Sequence, residues 1–203
     1  MKTLILGGVR SGKSRLAESL ARQSGLPVCY VATATAGDEE MRRRIESHRA
    51  RRPAEWTVIE EPLALASTLK KHSAQGRCLV VDCLTLWLTN LLMTDAGIGW
   101  AETRSPTNPN GMNRPCWGSP GSPQPTTTTF AHETKAFLAA LPELPGTLIL
   151  VGNETGLGVM PLGELTRRFV DEAGNLHQLL AQTCNRVVLT VAGLPIYLKG
   201  ESP

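Results

Sequence analysis

The stretch that most constrains the fold is a glycine-rich loop near the start of the chain, "GGVRSGKS" at residues 7–14, which follows the apolar run "KTLIL". Its spacing fits G-x-x-x-x-G-K-[ST], in which backbone N–H groups surround a phosphate and the lysine reaches the β- and γ-phosphates. The next stretch, "SRLAESLARQSG", has the period of an amphipathic helix, whose N-terminus favours an anion. The sequence therefore predicts a nucleoside triphosphate site, and a glycine-rich turn that binds nothing is the alternative.

Apolar strand-like runs alternate with helical patterns along the rest of the chain. The runs are "TLILG", "VCYVATA", "CLVVDCL", "TLILVG" and "RVVLTVAG". Helices are expected at 14–24, 38–50, 62–73, 84–93, 131–141 and 162–183. This alternation predicts an α/β fold with a mainly parallel sheet flanked by helices. Together with the glycine loop it indicates a P-loop NTPase-like (RecA-like) fold, with the ligand at the carboxyl ends of the strands.

Length and composition favour a single domain over residues 1–203. The net charge of +3 is small, so we expect no nucleic-acid partner. No apolar run approaches the length of a membrane span, and no leader pattern precedes the first strand. The five cysteines are scattered without a C-x-x-C pair. These features lead us to expect a cytoplasmic protein with reduced thiols.

Residues 100–129 break the alternating pattern, because they are rich in Pro, Gly, Ser, Thr and Asn and show no periodicity. We predict an irregular, mobile surface insert within the domain. A local error in the underlying coding sequence would produce the same patch, and a functional lid is the third interpretation.

Asp82 ends the apolar run "CLVVD". A carboxylate in this position beside a glycine loop is typical of a Mg²⁺ site that the loop serine, Ser14, also touches. The alternative is that Asp82 caps the helix "LTLWLTNLL", and both roles are compatible.

A histidine on a basic helix is a second candidate for chemistry. Met41, Ile45 and His48 fall at i, i+4 and i+7, on one face of a helix that we expect to begin at an Asp38 cap and to stop at Pro53. Arginines at positions 44, 49, 51 and 52 would favour a neutral, nucleophilic imidazole and could neutralise a phosphate delivered to it. From spacing alone, a surface histidine on a basic helix is the alternative.

Several stretches, in order, resemble the bifunctional adenosylcobinamide kinase/adenosylcobinamide-phosphate guanylyltransferase family of cobalamin biosynthesis. They are "GGVRSGKSRLAE", "YVATATAGDEEMRRRIESHRARRPAEW", "LVVDCLTLWLTNLL", "VGNETGLGVMP", "RRFVDEAGNLHQLLA" and the closing "VVLTVAGLPIYLKG". The resemblance covers nearly all of the chain except about 94–130. It implies phosphorylation of adenosylcobinamide by ATP or GTP. GMP then passes from GTP, through a guanylylated histidine, to adenosylcobinamide phosphate.

The resemblance also assigns residues. The guanylylated histidine falls on His48, since Ser47 stands where some relatives have another histidine, and Lys13 would serve both transfers. Ser14 and Asp82 would bind Mg²⁺. The implied nucleotide contacts are Gly7, Gly8, Val9, Arg10, Ser11, Gly12, Lys13, Ser14, Ala32, Thr33, Ala34, Arg49, Ala50, Arg51, Arg52, Glu60 and Asp82. The family also implies a homotrimer. A single-activity P-loop kinase and a non-catalytic nucleotide-binding protein are the alternatives.

Two further points concern the second half of the chain. His177 and Gln178 stand where relatives tend to have "NQ", which puts any role of that asparagine in doubt. The stretch "NETGLG" at 153–158 follows a strand and is either a site loop or a tight glycine turn.

Overall fold

The structure is a computed structural model that describes residues 1–36, 39–50, 52–97 and 129–201, without the side chain of Arg44. The predicted insert at 100–129 lies outside the described residues except for its last position. Arg51 and the expected Asp38 cap also lie outside them. The expectations for these residues therefore stay predictions.

The described ranges form seven strands, six α-helices and one short 3-10 helix (Leu141–Glu143). The strands are β1 (Lys2–Gly7), β2 (Val28–Ala32), β3 (Thr57–Glu60), β4 (Cys78–Asp82), β5 (Thr147–Val151), β6 (Arg186–Val191) and β7 (Leu194–Lys199). The helices are α1 (Lys13–Gln23), α2 (Glu39–Ala50), α3 (Leu65–His72), α4 (Leu84–Asp95), α5 (Thr129–Ala140) and α6 (Glu164–Thr183). Within these ranges, none of the helices combines the length and the apolar character that crossing a bilayer requires.

All seven strands join one sheet in the order β3-β2-β4-β5-β1-β6-β7. Every neighbouring pair is parallel except β6 and β7, which are antiparallel. One strand, β5, separates the glycine-loop strand β1 from β4, which carries Asp82. This is the RecA-like arrangement of a P-loop NTPase fold, and it confirms the predicted fold class.

Helices cover both faces of the sheet. Helix α1 packs Ala17, Leu20 and Ala21 against one face, in a buried cluster that includes Ile5 and Val80. On the other face, α3, α4, α5 and α6 enclose the larger cluster, which contains Trp87 and Phe137 at its centre. Because the central strands are buried on both faces, they are apolar in sequence without alternation.

The helix predictions are confirmed, with ends shifted by at most three residues. Strand β3 is missing from the sequence prediction because it has four residues, none of them buried. Strand β7 follows β6 through a turn at Ala192 and Gly193 and is mostly exposed. The sequence analysis covered it only as part of the closing stretch that resembles the family.

Candidate functional site

A cavity of about 870 Å³ opens at the carboxyl ends of β1, β2 and β4, where the fold predicts a ligand. The glycine loop, the Asp82 carboxylate and His48 of α2 all line it. The sequence-predicted residues in its lining are Val9, Arg10, Ser11, Gly12, Lys13, Ser14, Ala32, Ala34, His48, Arg49, Arg52, Glu60 and Asp82. Four other predicted residues are described but do not line it: Gly7, Gly8, Thr33 and Ala50.

The glycine loop is held against the turn between β6 and β7. Gly7 has a φ of 152°, and a side chain on it would collide with the backbone oxygen of Thr190. Gly12, the residue before α1, has a φ of 98°. The backbone N–H of Gly193 donates to the Ser11 carbonyl at 2.9 Å. The loop conformation therefore depends on residues far along the chain, and Gly7 and Gly12 supply backbone angles that other residues rarely adopt.

Lys13 is the first residue of α1 and is only 7% exposed. Its amine donates to the Gly8 carbonyl at 2.5 Å and to Ser11 Oγ at 3.4 Å, so it lies folded over the loop. Burial lowers the pKa of this amine, and the nearby Asp82 carboxylate opposes that shift. A lysine held in this way can place its charge on phosphates that the loop surrounds.

Asp82 ends β4 beside Ala32 of the neighbouring strand β2. Its Oδ2 accepts a hydrogen bond of 2.5 Å from the hydroxyl of Tyr30. Burial and the Asp82 charge raise the pKa of the Tyr30 phenol, so it remains protonated and donates. Helix α4 begins after Cys83, which is its N-cap, so the alternative of Asp82 as the cap is wrong.

The fit to Mg²⁺ depends on oxygen ligands from two elements. Ser14 supplies a hydroxyl and Asp82 a carboxylate, and both line the same cavity. Among the described residues, no group of three His, Cys, Asp or Glu side chains could hold a metal without help. Mg²⁺ in nucleotide enzymes is bound by one or two protein oxygens together with phosphates and water, and these residues match that composition.

Helix α2 brings His48 to the cavity together with Met41 and Ile45, which confirms that the three share one face. The residue after the histidine, Arg49, forms an ion pair with Glu60 at the end of β3. The sequence analysis placed Glu60 in the site only through the family resemblance. The ion pair accounts for its position, because it joins the end of α2 to the sheet edge.

Arg52 continues the basic segment that follows His48. Its backbone N–H donates to the Arg49 carbonyl at 3.2 Å. Its guanidinium carbon lies 3.8 Å from the centre of the Tyr30 ring, within the range of a cation–π contact. The cationic segment and the carboxylate therefore contact the same tyrosine.

The "NETGLG" stretch reaches the cavity with its first residue and turns locally further on, and its role in the site stays a prediction. Asn153 lines the cavity, and its backbone N–H donates to Thr85 Oγ1 at 2.6 Å. The backbone N–H of Glu154 donates to the Gly7 carbonyl at 2.9 Å. Glu154 Oε1 then accepts from the Gly156 N–H at 2.8 Å, which closes a tight turn.

His177 lies beneath this turn and is 6% exposed. Its Nδ1 is 3.9 Å from Glu154 Oε2, and burial lowers its pKa while the carboxylate opposes the shift. Its Nε2 is buried without a hydrogen-bond partner in the part of the chain that the structure describes. His177, which stands where relatives tend to have the asparagine of "NQ", therefore lies outside the cavity lining.

The sequence analysis missed Tyr30, Thr85 and the turn at Ala192 and Gly193. Tyr30 carried a usable signal, since a tyrosine inside an apolar strand needs a partner for its hydroxyl. Thr85 and the turn carried none, because their contacts join segments that are distant in sequence.

Comparison with known proteins agrees with this geometry. A family described as "Cobinamide kinase / cobinamide phosphate guanyltransferase", CobU, matches residues 3–198. The bifunctional adenosylcobalamin biosynthesis protein CobP of Pseudomonas aeruginosa is 58% identical over 201 residues, which are 99% of each chain. The corresponding CobU of Escherichia coli K12 is 34% identical, covering 98% of this chain and 100% of that protein.

A solved structure from Pyrococcus horikoshii OT3 has a TM-score of 0.50 at 10% identity, covering 99% of this chain and 87% of the other. At that identity it supports the fold alone. The family match and the two relatives span essentially the whole sequence. The chain belongs to the cobinamide kinase / cobinamide phosphate guanyltransferase family.

Proposed function

We propose that the protein phosphorylates adenosylcobinamide with ATP or GTP and then transfers GMP from GTP to adenosylcobinamide phosphate through a guanylylated histidine. Membership of the bifunctional family supports the two activities. The observation that carries the residue assignment is the meeting of Lys13, Asp82 and His48 on one cavity. A binding protein has no need of a nucleophile there.

In the first step the aminopropanol hydroxyl of adenosylcobinamide attacks the γ-phosphorus of the nucleotide, and a nucleoside diphosphate leaves. The loop amides and the Lys13 ammonium stabilise charge on the transferring group. Both lie at the N-terminus of α1, where the helix dipole adds to the attraction for phosphate.

In the second step a ring nitrogen of His48 attacks the α-phosphorus of GTP, and pyrophosphate leaves. The phosphate oxygen of adenosylcobinamide phosphate then attacks that phosphorus, the N–P bond breaks, and adenosyl-GDP-cobinamide forms with His48 regenerated. Lys13 holds the pyrophosphate in the first half of this step. Arg49 and Arg52, which line the cavity beside His48, balance the charge of the incoming phosphate.

Mg²⁺ bound by Ser14, Asp82 and phosphate oxygens would neutralise charge on the triphosphate. We also propose a single domain over residues 1–203, a homotrimer, a cytoplasmic location and no nucleic-acid partner. These proposals depend on composition and on the resemblance described above.

Intact-mass measurement after incubation with GTP and Mg²⁺ tests the proposal directly. Wild-type protein should gain the mass of one GMP and lose it in mild acid, because a phosphoramidate is acid-labile whereas an ester on Ser47 is not. His48→Ala should give no adduct and no guanylyl transfer, while phosphorylation of adenosylcobinamide survives. Ser47→Ala is the matched control and should form the adduct normally.

The outcomes separate the competing functions. An acid-stable adduct, or guanylyl transfer without His48, would contradict the histidine assignment. Phosphorylation without any adduct in wild-type protein would indicate a single-activity kinase. Nucleotide binding with neither reaction would indicate a non-catalytic protein.

A further inference from the structure

Tyr30 contacts both Asp82 and Arg52 but has no role in the proposed reactions. It is completely buried on β2, on the face covered by α1, two residues before Ala32, which pairs with Asp82. Its side chain extends toward the carboxyl end of the sheet and donates to Asp82 Oδ2 at 2.5 Å. The ring also stacks on Trp56, with ring centres 6.2 Å apart and planes inclined by 24°.

The same ring contacts the basic segment that follows His48. The guanidinium carbon of Arg52 is 3.8 Å from the ring centre. Arg52 Nε is buried without a hydrogen-bond partner among the described residues, so contact with the aromatic face compensates part of its lost hydration. Tyr30 therefore touches both Asp82, which is assigned to the Mg²⁺ ion, and Arg52, which is assigned to phosphate.

We propose that Tyr30 is a positioning residue that fixes the Asp82 carboxylate for the metal and holds Arg52 beside it. This inference rests on the proposed function, because it presupposes that Asp82 binds Mg²⁺. A carboxylate at the end of a strand can rotate about its side-chain torsions. A short hydrogen bond from a protonated phenol engages one oxygen, Oδ2, and so orients the other.

Removal of the hydroxyl alone isolates this role. Tyr30→Phe keeps the ring for Trp56 and Arg52 and fills the same core volume, so we expect the variant to fold. The chain has a matched control in its other tyrosine, Tyr197, which lies on β7 and outside the cavity lining. Tyr197→Phe also removes one phenol hydroxyl.

The experiment measures the dissociation constant of α,β-methylene-GTP by calorimetry, with Mg²⁺ and with EDTA. This analogue cannot guanylylate His48, so binding is read without turnover. In Tyr30→Phe the constant in EDTA should stay within about twofold of wild type, while the tightening by Mg²⁺ falls by about tenfold, since one hydrogen bond to a charged group is lost. Tyr197→Phe should match wild type in both conditions.

A double-mutant cycle keeps the proposal falsifiable. In an Asp82→Asn background, Tyr30→Phe should change the effect of Mg²⁺ no further, because its action passes through that carboxylate. The positioning role would be overturned if Mg²⁺ tightened binding of the analogue to Tyr30→Phe as much as to wild type. It would also be overturned if the variant bound the analogue more weakly by the same factor with and without Mg²⁺. If wild-type protein itself binds the analogue equally with Mg²⁺ and EDTA, the metal assignment in the proposed function fails, and this inference fails with it.

Discussion

The glycine loop and helix α2 line the same cavity, yet they are anchored very differently. In the loop region Ser11 is 8% and Lys13 7% exposed, and α1 buries Ala17, Leu20 and Ala21 in the core. In α2 none of the described side chains is buried. Its residues Arg42 and Arg43 instead pair with Glu39 of the same helix.

This difference corresponds to the proposed division of work. Both proposed transfers need the phosphates to be held in one place. The glycine loop and Lys13, which would hold them, are anchored in the core by α1. Only one of the proposed transfers needs the histidine, and its helix has no buried side chain among the described ones. Two contacts at and just after the end of α2, Arg49 with Glu60 and Arg52 with Tyr30, join it to the sheet.

The broadest effect, a loss in both steps together, should come from Lys13→Ala. Lys13 is proposed to stabilise phosphate charge in both steps, so the rates of phosphorylation and of guanylyl transfer should each fall by about 10²–10³. His48→Ala should lower the second rate alone. Separate assays of the two steps check this, and a Lys13→Ala enzyme with only one step impaired would show that the loop is not shared.

Two side-chain substitutions compare how firmly α1 and α2 pack against the rest of the protein. Leu20→Ala in α1 removes a buried side chain and should lower the free energy of unfolding by about 2–5 kcal/mol. Ile45→Ala in α2 should lower it by less than about 1 kcal/mol, since Ile45 is only partly buried. Urea denaturation measures both, and similar losses would mean that α2 packs as firmly as α1.

Amide hydrogen exchange reports the same comparison without mutation. Amides of α2 should exchange at least about tenfold faster than those of α1, because a helix whose described side chains are all at least partly exposed opens locally at low cost. Mass spectrometry of peptides covering 13–23 and 39–50 gives the two rates. Equal protection would contradict the difference in anchoring.

The smallest effect on stability should come from the ion pair between Arg49 of α2 and Glu60 of β3. The Arg49 and Glu60 side chains are 54% and 55% exposed, so their ion pair is strongly screened. Glu60→Gln should change the free energy of unfolding by no more than about 1 kcal/mol, and less at high salt. A larger loss of stability in thermal denaturation would contradict the exposed character of this ion pair.

The sequence predicted the core of the site because its key residues belong to local patterns. The glycine loop and the His48 helix each follow a strand and Asp82 ends one, and in a parallel sheet the carboxyl ends of strands meet at one edge. Spacing alone left His48 open to a surface role, and the family resemblance decided between the two. The structure brings it to the cavity with Met41 and Ile45.

What the sequence could not supply are contacts between distant segments. Tyr30 and Asp82 are 52 residues apart, and Asn153 and Thr85 are 68 apart. No periodicity encodes such pairs. Local patterns placed the start of α4 correctly at residue 84, but Cys83 occupies the N-cap position although Asp is the better N-cap type.

The support of the glycine loop by the turn after β6 has a consequence for biosynthesis of the chain. The loop is made long before Thr190 and Gly193, against which Gly7 and Ser11 are held. Strand β1 likewise pairs only with β5 and β6, within the described residues. A nascent chain therefore lacks a finished phosphate site until the segment through Gly193 has left the ribosome. GTP in the cell can act as a folding ligand only after that segment has emerged.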